Sequence, residues 1–127
     1  MREEVNRWWK QSLKDLESAK KNFSIDEYYV SAFLCQQAVE KALKSLYIHI
    51  LRSSPGHTHS LIFPGKSVNI PEDYLTLLKK ISPDFILTRY PDASYETPHE
   101  LYDKDIANER LIIAEKVMEW VRKQMEK

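Results

Sequence analysis

The chain has 127 residues, of which 43% are hydrophobic and 30% charged, the composition of one ordinary globular domain. Nineteen basic and 19 acidic side chains cancel, which argues against a dedicated duplex-DNA binder. The single cysteine, Cys35, excludes an intrachain disulfide, and two glycines are too few for a glycine-rich phosphate loop. The sequence has neither a signal-peptide core nor an uncharged run long enough to span a membrane. We therefore expect a cytoplasmic protein.

Two long helices are predicted in the first half of the chain. Apolar residues at three- and four-residue spacing predict the first helix from about Glu3 to Phe23. Ser24 and Glu27 have the spacing of a capping box, which predicts a second helix from Ile25 to about Arg52. This second helix has two apolar stripes, so we expect it to lie at the centre of the fold.

The sequence of the second half of the chain predicts shorter helices and one more long helix. Pro71, followed by two acidic residues, is typical of a helix start. Ser82-Pro83-Asp84 is a second such signal, and a final helix is predicted from about Asp103 to Met125. No strand is predicted. The expected fold is a single domain over residues 1–127, an all-α, up-and-down antiparallel bundle of three long helices with one or two short ones. Its wide apolar faces predict a homodimer.

Polar residues on the second predicted helix are the first candidates for a site. Gln36, Glu40 and Lys44 follow one another at i, i+4 spacing, which places them on one face. If Glu40 is buried, its carboxylate requires a partner, either Lys44 in the same helix or Arg89 from elsewhere. His57 and His59 form a His-x-His pair, but no cysteine or carboxylate cluster nearby completes a metal site. We predict no metal and no cofactor.

The order of several short motifs resembles one known family. The run Gln36-Gln37-Ala38-Val39-Glu40-Lys41-Ala42-Leu43-Lys44 is similar to the second-helix signature of the HEPN domain family (higher eukaryotes and prokaryotes nucleotide-binding). His59-Ser60-Leu61, Arg89-Tyr90-Pro91-Asp92 and the Trp120-Val121 end of the last helix are also similar. The resemblance covers nearly the whole chain.

The resemblance implies a dimeric bundle of four or five helices. It implies one of two activities: cleavage of RNA, or partnership with a minimal nucleotidyltransferase in a toxin–antitoxin-like module. Ribonucleases of the family have an arginine and a histidine separated by four to six residues, near the start of the last long helix. There the histidine acts as acid or base on a ribose 2′-OH and the arginine stabilises phosphate charge.

This chain departs from that ribonuclease pattern. Arg89 matches the arginine, but the next histidine is His99, and Ser94, Tyr95 and Glu96 occupy the expected positions. We therefore predict a nucleotidyltransferase partner, or a nucleotide- or RNA-binding protein, rather than an enzyme. The predicted ligand-binding residues are Arg89, Asp92, Glu40 and Lys44. One alternative is a metal-independent endoribonuclease with Arg89 and a displaced His99 as catalytic residues. Another is a non-catalytic structural adaptor.

Overall fold

The fold is all-helical over the residues that the structure, a computed structural model, describes, which are residues 2–127. The helices in this range, in chain order, are α1 (Glu3–Ser24), α2 (Tyr28–Leu51), α3 (Ile62–Ser67), α4 (Glu72–Ile81), α5 (Asp84–Leu87), α6 (Pro98–Leu101) and α7 (Lys104–Met125). The prediction of a bundle with three long helices is confirmed. None of these helices is long and apolar enough to span a bilayer.

The central helix is α2, which packs against both α1 and α7 and also contacts α3, α5 and α6. Ala32, Cys35, Val39, Leu43 and Leu46 form its predicted stripe and are fully buried. Ile50, predicted on the same stripe, is 48% exposed because the last turn of α2 extends beyond the core.

The direction of α7 follows from its contacts with α1. Trp9, in the first half of α1, lines the same surface pocket as Arg122, near the end of α7. Lys20, near the end of α1, forms an ion pair of 3.8 Å with Glu115. The helix α7 therefore runs antiparallel to α1. Ser31, near the start of α2, donates to the Ala19 carbonyl near the end of α1, so α2 is also antiparallel to α1. The long segment with α3 to α6 returns the chain before α7 begins.

The turn between α1 and α2 differs from the predicted capping box. The Ser24 hydroxyl donates to the Lys21 carbonyl at 2.6 Å, within the last turn of α1. Asp26 has a φ of 65°, and α2 begins only at Tyr28. The capping-box prediction was wrong because Ser24 ends one helix rather than starting the next. Ser82 likewise does not cap α5, since its hydroxyl accepts the Leu61 N–H at 3.2 Å.

The short helix α3 was not predicted because it contains Pro64 and Gly65. Gly65 is buried, and a Cβ at this position would lie 2.5 Å from Leu78 Cδ1. The glycine therefore permits the close approach of α3 to α4. Asp103, in contrast, confirms the predicted start of the last helix, since its carboxylate accepts the Ile106 N–H at 2.9 Å.

The first prediction concerns the thiol of Cys35, which is fully buried in α2. Burial raises the pKa of this thiol above its ordinary value of 9.0. The unfolded chain therefore ionises at a lower pH than the folded protein, and stability is lost as the pH rises above 9.0. Relative to Cys35→Ala, the wild type should lose up to about 1.4 kcal/mol per pH unit in that range.

Denaturant unfolding of both proteins between pH 7 and 10.5 measures this difference. The folded wild type should also resist a thiol reagent at pH 8 until denaturant is added. Rapid modification of the folded protein would contradict the burial of the thiol.

Candidate functional site

The candidate site begins with the single helical turn of α5 and the two residues that follow it. The N–H groups of Arg89 and Tyr90 both donate to the Ile86 carbonyl at 3.1 Å, so the helical path continues beyond Leu87. Phe85 and Arg89 consequently lie on the same side of the turn. The Arg89 guanidinium carbon lies 4.6 Å from the centre of the Phe85 ring, a cation–π contact.

A histidine from a distant loop joins the same ring. The imidazole of His59 stacks on Phe85 with ring centres 3.7 Å apart and planes 11° from parallel. Phe33 from α2 lies beside Phe85 at 6.2 Å. We call these four residues, Phe33, His59, Phe85 and Arg89, the Phe85 cluster. The cluster combines two cation-forming side chains with two aromatic rings.

The predicted polar strip of α2 holds His59 in place. The buried Gln36 side chain donates to the His59 carbonyl at 3.0 Å. One turn later, Glu40 Oε1 lies 3.1 Å from His59 Nδ1. The partner of Glu40 is therefore His59, and the prediction that it pairs with Lys44 or Arg89 was wrong. Sequence spacing identified the strip correctly, but only the folded loop shows what it contacts.

A pocket of about 230 Å³ lies beside this histidine. The ammonium of Lys44, the third member of the strip, lies 4.1 Å from the centre of the Trp8 ring on one wall. Glu40, His57 and His59 also line the pocket. Among residues 2–127, no carboxylate lies within ion-pair distance of Lys44. The pocket therefore offers an ammonium without an anionic partner.

A buried ionic cluster fixes α5 to the bundle, and the sequence analysis missed it. Asp84, the first residue of α5, is 1% exposed. It accepts a hydrogen bond of 2.6 Å from the Tyr102 hydroxyl and one of 2.7 Å from Arg110 Nε on α7. Burial raises the pKa of Asp84, and the hydrogen bonds from Arg110 and Tyr102 oppose that shift. The sequence around Asp84 predicts only a helix start, and nothing in its local spacing indicates partners 18 and 26 residues away.

The remaining predicted site residues lie on exposed segments. Asp92 is exposed beside a shallow surface pocket with Tyr95, and no ion pair joins it to Arg89 among the residues described. His99 is exposed on α6, where its Nδ1 lies 3.2 Å from the Thr97 hydroxyl. Within residues 2–127, no hydrogen bond links His99 to Arg89. Among residues 2–127 none of the predicted pairings with Arg89 is present, and its guanidinium instead lies over the rings of Phe33, Phe85 and Tyr90.

The chemical capacity of the site follows from these contacts. Arg89 can donate several hydrogen bonds to a phosphate, and the guanidinium is not neutralised by a carboxylate among the residues described. The aromatic rings offer surfaces on which a base can stack. Residues 2–127 contain no cluster of three or more metal-binding side chains. The arrangement is therefore suited to an organic phosphate.

Comparison with known proteins identifies the family. The HEPN domain family matches residues 5–124, almost the complete chain. The chain belongs to the HEPN domain family. TT1696 from Thermus thermophilus is 30% identical with a TM-score of 0.87, and the match covers 97% of this chain and 99% of that one.

A second solved structure supports the same membership. The archaeal HEPN homologue ST0689 is 33% identical with a TM-score of 0.83, over 98% of this chain and 99% of that one. A comparison with curated proteins gives no match. The resemblance inferred from the helix-two signature is thus confirmed, and the HEPN fold places that signature, including Gln36 and Glu40, against the His59 loop.

The second prediction tests the anchor of α5. Asp84→Asn keeps the size of the side chain but leaves Arg110 without its buried charge partner. We expect a loss of about 3 kcal/mol in the free energy of unfolding, the lower part of the range for a broken buried pair, because Arg110 keeps a 2.6 Å contact with Glu109. Asp92→Asn makes the same chemical change at an exposed position and should leave stability nearly unchanged. Urea unfolding of the three proteins measures this, and equal stabilities would contradict the anchoring role.

Proposed function

We propose that this HEPN protein binds the phosphate of a nucleotide or a single-stranded RNA at the Phe85 cluster. The observation that carries the proposal is Arg89, an exposed guanidinium that lies over an aromatic ring and has no carboxylate partner among the residues described. Arginine recognises phosphate through a planar fork of N–H donors. Contact with Phe85 holds the side chain in one region while leaving its donors available.

Single-stranded RNA fits this surface better than a duplex. Unpaired bases stack on aromatic side chains, whereas the bases of a duplex are already stacked on one another. The protein has no net charge when its histidines are neutral, and duplex binding relies on many phosphate contacts. A local site with one arginine and neighbouring rings favours one or two nucleotides rather than a long helical face.

The third prediction tests this proposal through Arg89. Loss of a charge-assisted hydrogen bond costs about 1.5–3 kcal/mol, so Arg89→Ala should weaken binding of a short single-stranded RNA at least tenfold. Arg122→Ala removes the same charge from a guanidinium that already holds Glu119 and Glu126. This control should bind RNA like the wild type. Fluorescence anisotropy with a labelled oligonucleotide measures both, and equal weakening by the two substitutions would show a nonspecific charge effect.

We also propose that the protein acts with a partner nucleotidyltransferase. Three large side chains close to Arg89 in sequence are exposed, namely Ile86 (53%), Tyr90 (45%) and Tyr95 (fully). Exposed apolar and aromatic groups in one segment favour a protein contact. The same reasoning, applied to exposed Leu13 and Ile112 on α1 and α7, supports the predicted homodimer.

The fourth prediction addresses these partners. A minimal nucleotidyltransferase co-expressed from the same source should co-purify with the wild-type protein and be lost with Tyr90→Ala/Tyr95→Ala. Ile25→Ala, at a comparably exposed residue in the α1–α2 turn, should retain it.

Light scattering on the purified protein alone should give twice the mass of one chain. A monomeric mass at micromolar concentration would contradict the homodimer.

A further inference from the structure

We propose that the pocket beside Trp8 binds a small organic monocarboxylate, and that Lys44 is the group that holds its negative charge. We call this cavity the Lys44 pocket. It is separate from most of the Phe85 cluster, because Phe33, Phe85 and Arg89 are not among the residues that line it. The proposal therefore adds a second ligand to the protein and does not depend on RNA binding.

Four parts of the fold converge on the Lys44 pocket. Trp8 comes from α1, Lys44 from α2 and Pro64 from α3, and the loop between α2 and α3 supplies the fourth wall. This loop is fixed to the bundle, since the buried Gln36 side chain donates to the His59 carbonyl at 3.0 Å. Because helices and an anchored loop form its walls, the pocket is present before a ligand binds, as most small-molecule sites are.

The ammonium of Lys44 is the argument for an anionic ligand. It lies 4.1 Å from the centre of the Trp8 ring, a cation–π contact that holds the half-buried side chain against one wall. An ammonium has three N–H donors, and those of Lys44 have no hydrogen-bond acceptor among residues 2–127. A ligand carboxylate can therefore accept hydrogen bonds from Lys44 while the ammonium stays over the indole.

The neighbouring charges favour a ligand with a single negative charge. Lys41, the second lysine on the wall, already forms an ion pair with Asp15. Glu40 also lines the pocket, and its Oε1 lies 3.1 Å from His59 Nδ1. A dianion such as a phosphate monoester would meet one available ammonium and the negative charge of Glu40. A carboxylate requires only Lys44.

The volume and the remaining walls define the body of the ligand. The 230 Å³ of the pocket lies below the range of about 300–1,000 Å³ typical of drug-sized ligands, so the pocket does not enclose a nucleotide. A cavity of about 150 Å³ holds benzene, which leaves room here for a carboxylate as well. Trp8, Pro55 and the buried Pro64 supply apolar surface. Benzoate, a benzene ring with one carboxylate, is therefore a suitable probe.

The test measures binding of benzoate to the full-length protein by isothermal titration calorimetry. Benzamide has the same ring without the charge, and it should bind at least tenfold more weakly, the loss expected from one charge-assisted hydrogen bond. Phenyl phosphate should also bind more weakly than benzoate. In proton–nitrogen NMR spectra, benzoate should shift the indole N–H signal of Trp8 more than those of Trp9 and Trp120.

Substitutions of Lys44 test the group that holds the carboxylate. Lys44→Met removes the charge from a side chain of similar length and should weaken benzoate binding at least tenfold. Lys44→Arg keeps the charge and should bind benzoate more tightly than Lys44→Met does. Lys116→Met is the matched control, because the Lys116 ammonium lies 5.4 Å from the Tyr74 ring, outside the pocket. This control should bind benzoate like the wild type, and circular dichroism confirms that each variant is folded.

Several outcomes would overturn the proposal. Equal affinity of the wild type for benzoate and benzamide would show that the ammonium holds no charge, a comparison that requires no variant to fold. Tighter binding of phenyl phosphate would show that the site takes a dianion. Equal weakening by Lys44→Met and Lys116→Met would show a nonspecific charge effect, and no saturable binding at millimolar benzoate would reject the site.

The proposed RNA binding is tested separately from this site. Arg89→Ala should bind benzoate like the wild type, because Arg89 does not line the Lys44 pocket. Loss of RNA binding in that variant with benzoate binding retained would support two independent sites. If the wild type binds benzoate and no RNA, the proposed function is wrong and the Lys44 pocket stands, and the reverse result rejects the pocket alone.

Discussion

The pairing of Asp84 with Arg110 and Tyr102 is the constraint on which the site depends. Asp84 is almost fully buried, and an isolated carboxylate at that depth would cost several kcal/mol. Its hydrogen bonds join the first residue of α5 to α7 and to the residue that follows α6. A four-residue helix has little stability of its own. The position of Phe85, and of Arg89 just beyond the helix, therefore depends on this charge pair more than on the stability of α5 itself.

The opposite side of the site depends on the polar strip of α2. Gln36 and Glu40 bind the backbone and the ring of one histidine, one helical turn apart. This arrangement explains why the central helix contains a buried glutamine, since its amide satisfies a carbonyl of the loop that closes the end of the bundle. Leu61, two residues after His59, is fully buried, so the loop is held by both polar and apolar contacts.

Structural features that depend on local periodicity could be predicted from the sequence, whereas contacts between residues distant in the chain could not. The three long helices, the start of the last helix near Asp103 and the strip Gln36–Glu40–Lys44 could all be predicted, because each is defined within a few residues. The prediction of a capping box at Ser24 was wrong, because a serine can end one helix as well as begin the next. The partners of Glu40 and Asp84 could not be predicted, because their contacts span 19, 18 and 26 residues and depend on the path of the connection between α2 and α7.

The difference between local and distant contacts also decides how a site can be recognised when a spacing motif is incomplete. A motif such as an arginine followed closely by a histidine describes groups that one helix and its approach bring together. In this HEPN protein Arg89 and His59 are 30 residues apart in the sequence, yet both contact the ring of Phe85. His59 is held by a buried amide, a carboxylate and an aromatic face. His99 has a hydrogen-bond contact with Thr97, at the start of its own short helix. The loop after α2 therefore restricts His59 more firmly than this single contact restricts His99, although His99 lies closer to Arg89 in the sequence.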